Sequence, residues 1–153
     1  MPNLKEDDNA LRKVLIQAKT IAVVGHSDKR DAYGKAFAQR TSYQIAQFLR
    51  QKGYTVYAVN PLIKEIDGQP SYAALPELPE PVDIVNVFRR CEYLPEIVDE
   101  AISINAKTVW AQLGIWHQLS AQKAIDARLN VVMDACIKIE YLRLRVGSTG
   151  TDR

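Results

Sequence analysis

The stretch that decides the fold is Thr20-Ile21-Ala22-Val23-Val24, which stops at Gly25. It is short, rich in β-branched side chains and uninterrupted by charge. A strand with one wet face alternates apolar and polar residues. A strand covered on both faces does not, so this run predicts a buried strand of a parallel sheet with helices on either side. Upstream, residues 5–18 place Leu11, Val14, Leu15 and Ala18 at helical spacing, with Asp7 and Asp8 near the start, where acidic groups favour a helix.

The same alternation continues downstream. A polar loop from His26 to Arg40 leads to a helix capped by Thr41 or Ser42, burying Ile45, Ala46, Phe48 and Leu49 and stopping at Gly53. Tyr54 to Val59 reads as the second strand, ending at Asn60-Pro61. Residues 61–82 hold five of the seven prolines and read as a turn-rich crossover, with a helical turn near Tyr72 to Leu75. Val82 to Phe88 is the third strand, followed by a helix over 93–104. Lys107 to Ala111 is the fourth, followed by a helix over 119–128. Asn130 to Met133 is the fifth, followed by a short helix from Ile137 to Leu144. Strand and helix in alternation predict an α/β, Rossmann-like, doubly wound parallel sheet of about five strands in the order 3-2-1-4-5. The expected organisation is a helix over residues 1–18 packed on a single domain at 19–146, with a disordered tail at 147–153.

Composition narrows the function. Of the 153 residues, 47% are hydrophobic and 25% charged, as in an ordinary globular domain. A net charge of +2 does not point to nucleic acid or a membrane surface. The N-terminal stretch MPNLKEDDNALRK lacks the apolar segment of a signal peptide, and no apolar run approaches the roughly 20 residues that span a bilayer. Two cysteines, Cys91 and Cys136, are too few for a disulfide framework, so the expected location is the cytoplasm, with both reduced.

In a sheet of this kind ligands bind beyond the carboxyl ends of the strands, where the strand order reverses. That rule selects Gly25, His26 and Ser27; Asn60 and Pro61; Phe88, Arg89 and Arg90; Gln112, Leu113 and Gly114; and Asp134. Lys29, Arg30, Lys35, Arg40 and Lys64 add positive charge to the same rim, and the amides opening the helix after Arg40 form an anion site. Phe88 and Trp110 offer apolar surface, unless Trp110 points into a helix layer. A polyanionic ligand with an aromatic base suits this edge; a merely solvated basic loop is the plainer reading. NAD does not suit it. Gly25-His26-Ser27-Asp28-Lys29-Arg30 keeps only the first glycine of the dinucleotide fingerprint, and Asn60 stands where a ribose-binding carboxylate belongs. A Walker A lysine is also missing.

The strand ends resemble those of the coenzyme A-binding domain family, which includes small stand-alone proteins and the N-terminal domain of the succinyl-CoA synthetase alpha subunit. The segments that carry the resemblance are, in chain order, IAVVGHS (21–27), RTSY (40–43), YTVYAVNP (54–61), EIDG (65–68), VDIVNVFR (82–89), AKTVWAQ (106–112) with Gly114, and VVMDACIKI (131–139). The resemblance implies coenzyme A, or an acyl-CoA, bound across the carboxyl edge. Gly25, Ser27, Lys29, Arg30, Arg40 and Ser42 would serve the phosphates. Asn60, Pro61 and Lys64 would flank the adenosine end, Phe88, Arg89 and Gln112 the pantetheine arm, and Gly114 would also belong to the ligand site. Many members have a proline soon after the serine, where this chain has Asp28-Lys29-Arg30-Asp31. Larger ligase relatives transfer a phosphoryl group through a histidine in a further domain that nothing here matches, so the resemblance does not bring that activity.

Single residues carry two readings each. His26 is a base beside the ligand or a solvent-edge histidine, and His117 stands just before a helix start. Asp134 orients a ligand or caps the helix after it. Asp83 lies at the amino end of its strand, away from the site. Cys91 or Cys136 forms a mixed disulfide with the coenzyme's thiol, or both are unreactive. Neither a catalytic centre nor a metal site emerges. The expected function is a coenzyme A-binding carrier, sensor or regulatory module. The alternatives are an NAD(P)-dependent or acyl-CoA-processing enzyme, and an interaction subunit that keeps the fold without the ligand.

Overall fold

Every residue of Thr20–Val24 (β1) is buried, and the strand pairs on both flanks, with Thr55–Val59 (β2) on one side and Ile84–Val87 (β5) on the other. The computed structural model describes residues 3–25 and 41–147. Outward from β5 come Thr108–Ala111 (β6) and Asn130–Val132 (β7), all parallel. Outward from β2 lies a hairpin of Glu65–Ile66 (β3) and Gln69–Tyr72 (β4), with β4 parallel to β2 and β3 antiparallel at the rim. The sheet has seven strands in the order β3-β4-β2-β1-β5-β6-β7.

Odd and even positions of the strands serve two cores. Ile21, Val23, Ile84, Trp110 and Val132 meet three helices, Asp8–Gln17 (α1), Thr41–Gln51 (α2) and Ile137–Arg143 (α5). Ala22, Val24, Val85, Val87, Val109 and Ala111 meet Leu94–Ser103 (α3) and Gln118–Asp126 (α4). The fold class is therefore the doubly wound α/β sheet that β1 predicts, with seven strands rather than about five.

The strand order is corrected in one place. The strand read as third, here β5, does not lie beyond β2; it returns to the far flank of β1. The place beyond β2 belongs to β4, which the proline count had assigned to a crossover. Asp67 and Gly68, at φ 51° and 80°, make the two-residue turn of the hairpin with both residues at positive φ, as a type I′ turn requires. Pro70 is tolerated because β4 is half exposed and near the sheet's rim. The Tyr43 hydroxyl on α2 donates to the Asp67 carboxylate and accepts from Gln47 Nε2, tying the hairpin to a helix. The expected helical turn lies at Leu75–Glu77, later than placed from the sequence.

The helices α2, α3, α4 and α5 end alike, with one residue at positive φ. At the close of α2, Tyr54 N donates to Leu49 O (3.2 Å) and Gly53 N to Arg50 O (3.0 Å), the paired bonds of a Schellman motif with Gly53 at φ 99°. α4 closes with the same pair, Leu129 N to Ala124 O and Arg128 N to Ile125 O, but Arg128 holds the left-handed position at φ 70°. At the amino edge of the sheet, Asp83 Oδ2 accepts from the amides of Lys19 (2.7 Å) and Thr20 (3.0 Å), and Lys107 Nζ lies 3.5 Å from Oδ1. Burial would raise the Asp83 pKa, but the two amides and Lys107 outweigh it and hold the carboxyl below its usual value. Asp83 is thus a brace between strands, at the end away from the site. No helix among the described residues is long and apolar enough to cross a membrane.

Two stability predictions follow from these contacts. Arg128→Gly should stabilise the protein by about 1 kcal/mol, because a side chain is disfavoured in the left-handed region; a lowered urea midpoint would contradict this. Asp83→Ala should cost about 2 kcal/mol near neutral pH by leaving two amides without their acceptor. Because the folded-state pKa of Asp83 is depressed, its contribution is complete above the unfolded value. It should fade as pH falls through the folded one, so urea midpoints of wild type and variant should converge in acid.

Candidate ligand-binding edge

The strand order reverses between β1 and β5, so the crevice to inspect lies above their carboxyl ends. Gly25 leaves β1 at φ 88°, its amide donating to Val59 O (2.8 Å). A Cβ here would lie 3.0 Å from Arg89 Cδ, 3.3 Å from Arg89 Cγ and 3.3 Å from the carbonyl carbon of Phe88. Glycine is therefore required twice, by the backbone angle and by the Arg89 stem that crosses over it. The Arg89 guanidinium carbon sits 4.0 Å from the centroid of the Tyr93 ring. Glycine below and an aromatic face beside it hold this cation in place, with no carboxylate paired to it among the described residues. The cleft around it is lined by the apolar Val24, Val59, Pro61, Ala73 and Ile97 and by the carboxylates Glu96 and Glu100.

On the β2 side, Asn60 organises a turn. Its amide donates to Tyr72 O (2.8 Å), its carbonyl accepts from Ser71 Oγ (3.1 Å), and its Oδ1 accepts from Leu62 N (2.9 Å). Pro61 faces the cleft, and Lys64 is exposed beyond it. Ser42 is buried in the first turn of α2.

On the other side, Gln112 is buried, and its Oε1 accepts from Asn86 Nδ2 (3.1 Å) and Ile137 N (3.0 Å). Its oxygen thus satisfies the first amide of α5. Gly114, at φ 81°, faces open space, and its amide donates to Asp134 Oδ1 (2.8 Å). Asp134 does not cap α5. The Gly114 amide and then Lys5 Nζ, 3.0 Å from Oδ2, hold its carboxyl below the usual value, and it braces the β6 loop against the N-terminal segment.

The structure thus brings Gly25, Phe88 and Arg89 together at the crevice, with Pro61 across it and Gln112 and Gly114 in the loop after β6. Ser27, Lys29, Arg30 and Arg40 lie outside the described residues, as does His26. Trp110 is fully buried, its Nε1 donating to Ala135 O (2.9 Å), so it belongs to a helix layer and not to the edge. His117 caps α4 through Nδ1, which accepts from Ser120 N (3.1 Å). Cys91 is exposed and Cys136 buried, both free. Among the described residues no group of three or more histidines, cysteines and carboxylates could hold a metal ion.

Two residues escaped the sequence reading. Tyr93, four residues after Arg89, provides the ring that holds it; the cue was an aromatic just before Pro95 at a helix start. Asn86 sits mid-β5 with no exposed surface. Its Nδ2 donates to Trp110 O (3.2 Å) and Gln112 Oε1, while its Oδ1 is buried without a hydrogen-bond partner among the described residues. The cue was a lone amide in the apolar run VDIVNVF.

Comparison with known proteins places the chain in a family and shows its fold elsewhere. The chain is 37% identical over 131 residues to the uncharacterised protein YneT of Bacillus subtilis, a match covering 86% of this chain and 91% of that one. It is 34% identical over 86 residues, 56% of its length, to an ADP-forming acetate–CoA ligase of Archaeoglobus fulgidus, but spans only 11% of that enzyme. A hypothetical protein from Pyrococcus horikoshii has the same fold, with a TM-score of 0.84 at 29% identity over 95% of this chain and 97% of that one. A family model described as a CoA binding domain matches residues 19–142, from the start of β1 through nearly all of α5, and the chain belongs to that family.

Proposed function

We propose that the protein binds coenzyme A or an acyl-CoA across the carboxyl ends of β1, β2, β5 and β6, and acts as a cytoplasmic carrier, sensor or regulatory module. The observation that carries this reading is the Gly25–Arg89–Tyr93 arrangement at the reversal point. Coenzyme A brings phosphates, an adenine ring and an arm containing two amides. The family resemblance sets Arg89 beside the pantetheine arm; we assign it instead to a phosphate, because a guanidinium held over an aromatic face presents a planar fork for paired, charge-assisted hydrogen bonds. The missing Cβ of Gly25 leaves room for the Arg89 stem that crosses the end of β1.

The rest of the edge supports the same ligand. Pro61 and the aliphatic wall of Val24, Val59 and Ile97 give an apolar surface beside the cation, and Lys64 adds charge on the β2 side. A role limited to binding means that Arg89 grips and orients and that no bond is made or broken.

Calorimetric titration tests this reading. Coenzyme A should bind, and at about 100 times its dissociation constant it should stabilise the fold by roughly 2.7 kcal/mol. NADH and NADPH should not. Arg89→Ala should weaken coenzyme A binding by about tenfold or more, the usual worth of a hydrogen bond to a charged group; unchanged affinity would remove Arg89 from the site. Binding of a nicotinamide cofactor alone would favour the enzyme alternative.

A further inference from the structure

The loop after β6 displays an apolar surface that neither the fold nor the Arg89 cleft uses. Leu113, Trp116 and Leu119 are 58%, 45% and 79% exposed, although they fall within one short turn and the start of α4. No lysine, arginine or carboxylate occurs from Thr108 to Gln122. Solvent-facing loops ordinarily carry charge, and clustered exposed apolar side chains mark a surface that meets something.

This exposure is built in. Ile115 N donates to Gln112 O (3.0 Å) and Asp134 N to Ile115 O (3.2 Å), while the Asp134 carboxylate holds the Gly114 amide. His117 fixes the helix start through Ser120. Ile115 packs inward against the α3–α4 core, so the turn has an anchored side and a displayed side. Its position is equally defined. Gln112 N donates to Val87 O (3.2 Å), which places the start of the loop next to Phe88 at the carboxyl edge.

Resting on the coenzyme A reading above, the geometry points to an acyl-CoA with an unbranched apolar acyl chain as the preferred ligand, its acyl group lying on Leu113, Trp116 and Leu119. A ligand whose phosphates meet Arg89 beside β1 and whose arm crosses Phe88 delivers its sulfur end toward β6. The surface there is apolar, and the Lys5–Asp134 ion pair beside Gly114 is already closed on itself. A carboxylate-ended acyl group would find no cation from Thr108 to Gln122. The continuity of the patch with the ligand edge favours an acyl chain over a protein partner as its occupant.

The test is a titration series with coenzyme A, acetyl-, hexanoyl-, decanoyl- and succinyl-CoA, all below micelle-forming concentrations. Wild type is compared with the double variant Leu113→Ser/Leu119→Ser, whose sites are exposed and should tolerate the change. Affinity should rise with chain length by up to about fourfold per buried methylene. Succinyl-CoA should bind no better than coenzyme A. The variant should flatten the series and leave coenzyme A affinity unchanged, and decanoyl-CoA alone should shift Trp116 emission to the blue. Coenzyme A binding with a flat wild-type series, or a series that survives in the variant, overturns the acyl assignment and leaves the coenzyme A reading standing. Failure of every member to bind overturns the coenzyme A reading itself. A wild-type dimer that the double variant dissociates would assign the patch to a second copy of the chain.

Discussion

The pairing of β1 with β2 on one flank and β5 on the other is the constraint on which the rest depends. A strand without a polar side chain between Ile21 and Val24 must be covered above and below and paired on both edges. Its neighbours are therefore reached by crossovers in opposite directions, and the connections part above its carboxyl end. The crevice is a consequence of that parting. Gly25, Phe88 and Arg89 meet there because β1 and β5 run side by side in register, Val24 opposite Val87.

What then distinguishes the crevice is the immobilisation of a cation. Arginine on a surface loop samples many rotamers, and ordering it against a ligand costs entropy. Here the stem of Arg89 lies on the glycine and its guanidinium on the Tyr93 ring, so much of that ordering precedes binding. Two other polar groups have the opposite assignment. Gln112 spends its oxygen on Asn86 and on the first amide of α5, and Asn60 shapes its own turn. Strand-end polar residues thus divide into those that build the edge and those that face outward from it.

The coupling of β6 to the rest of the molecule follows the same logic. Asp134 joins three separate pieces, the Gly114 turn, the end of β7 and the N-terminal segment through Lys5, and so sets the angle at which the Leu113–Leu119 surface is shown. A carboxylate held below its usual pKa by an amide and an ammonium is here a structural brace, although its place at a strand end resembled that of a ligand contact.

Much was decided by local chemistry and is legible without coordinates. β1, the helix ending at Gly53, the amino-edge place of Asp83 and the position of His117 just before a helix each follow from side-chain type and spacing, because burial, turn geometry and helix starts are set over a few residues. Strand neighbours are different. Whether Ile84–Val87 lies beyond β2 or returns beside β1 depends on which segment takes the hydrogen bonds of β2's free edge. That was settled by the hairpin turning at Asp67-Gly68, whose two positive φ values outweighed the prolines around it. Likewise, Arg89 resting on Tyr93 and the oxygen of Asn86 left unpaired among the described residues arise from side chains meeting across strands and turns. Periodicity along one chain carries no information about such meetings; only packing in three dimensions brings them about.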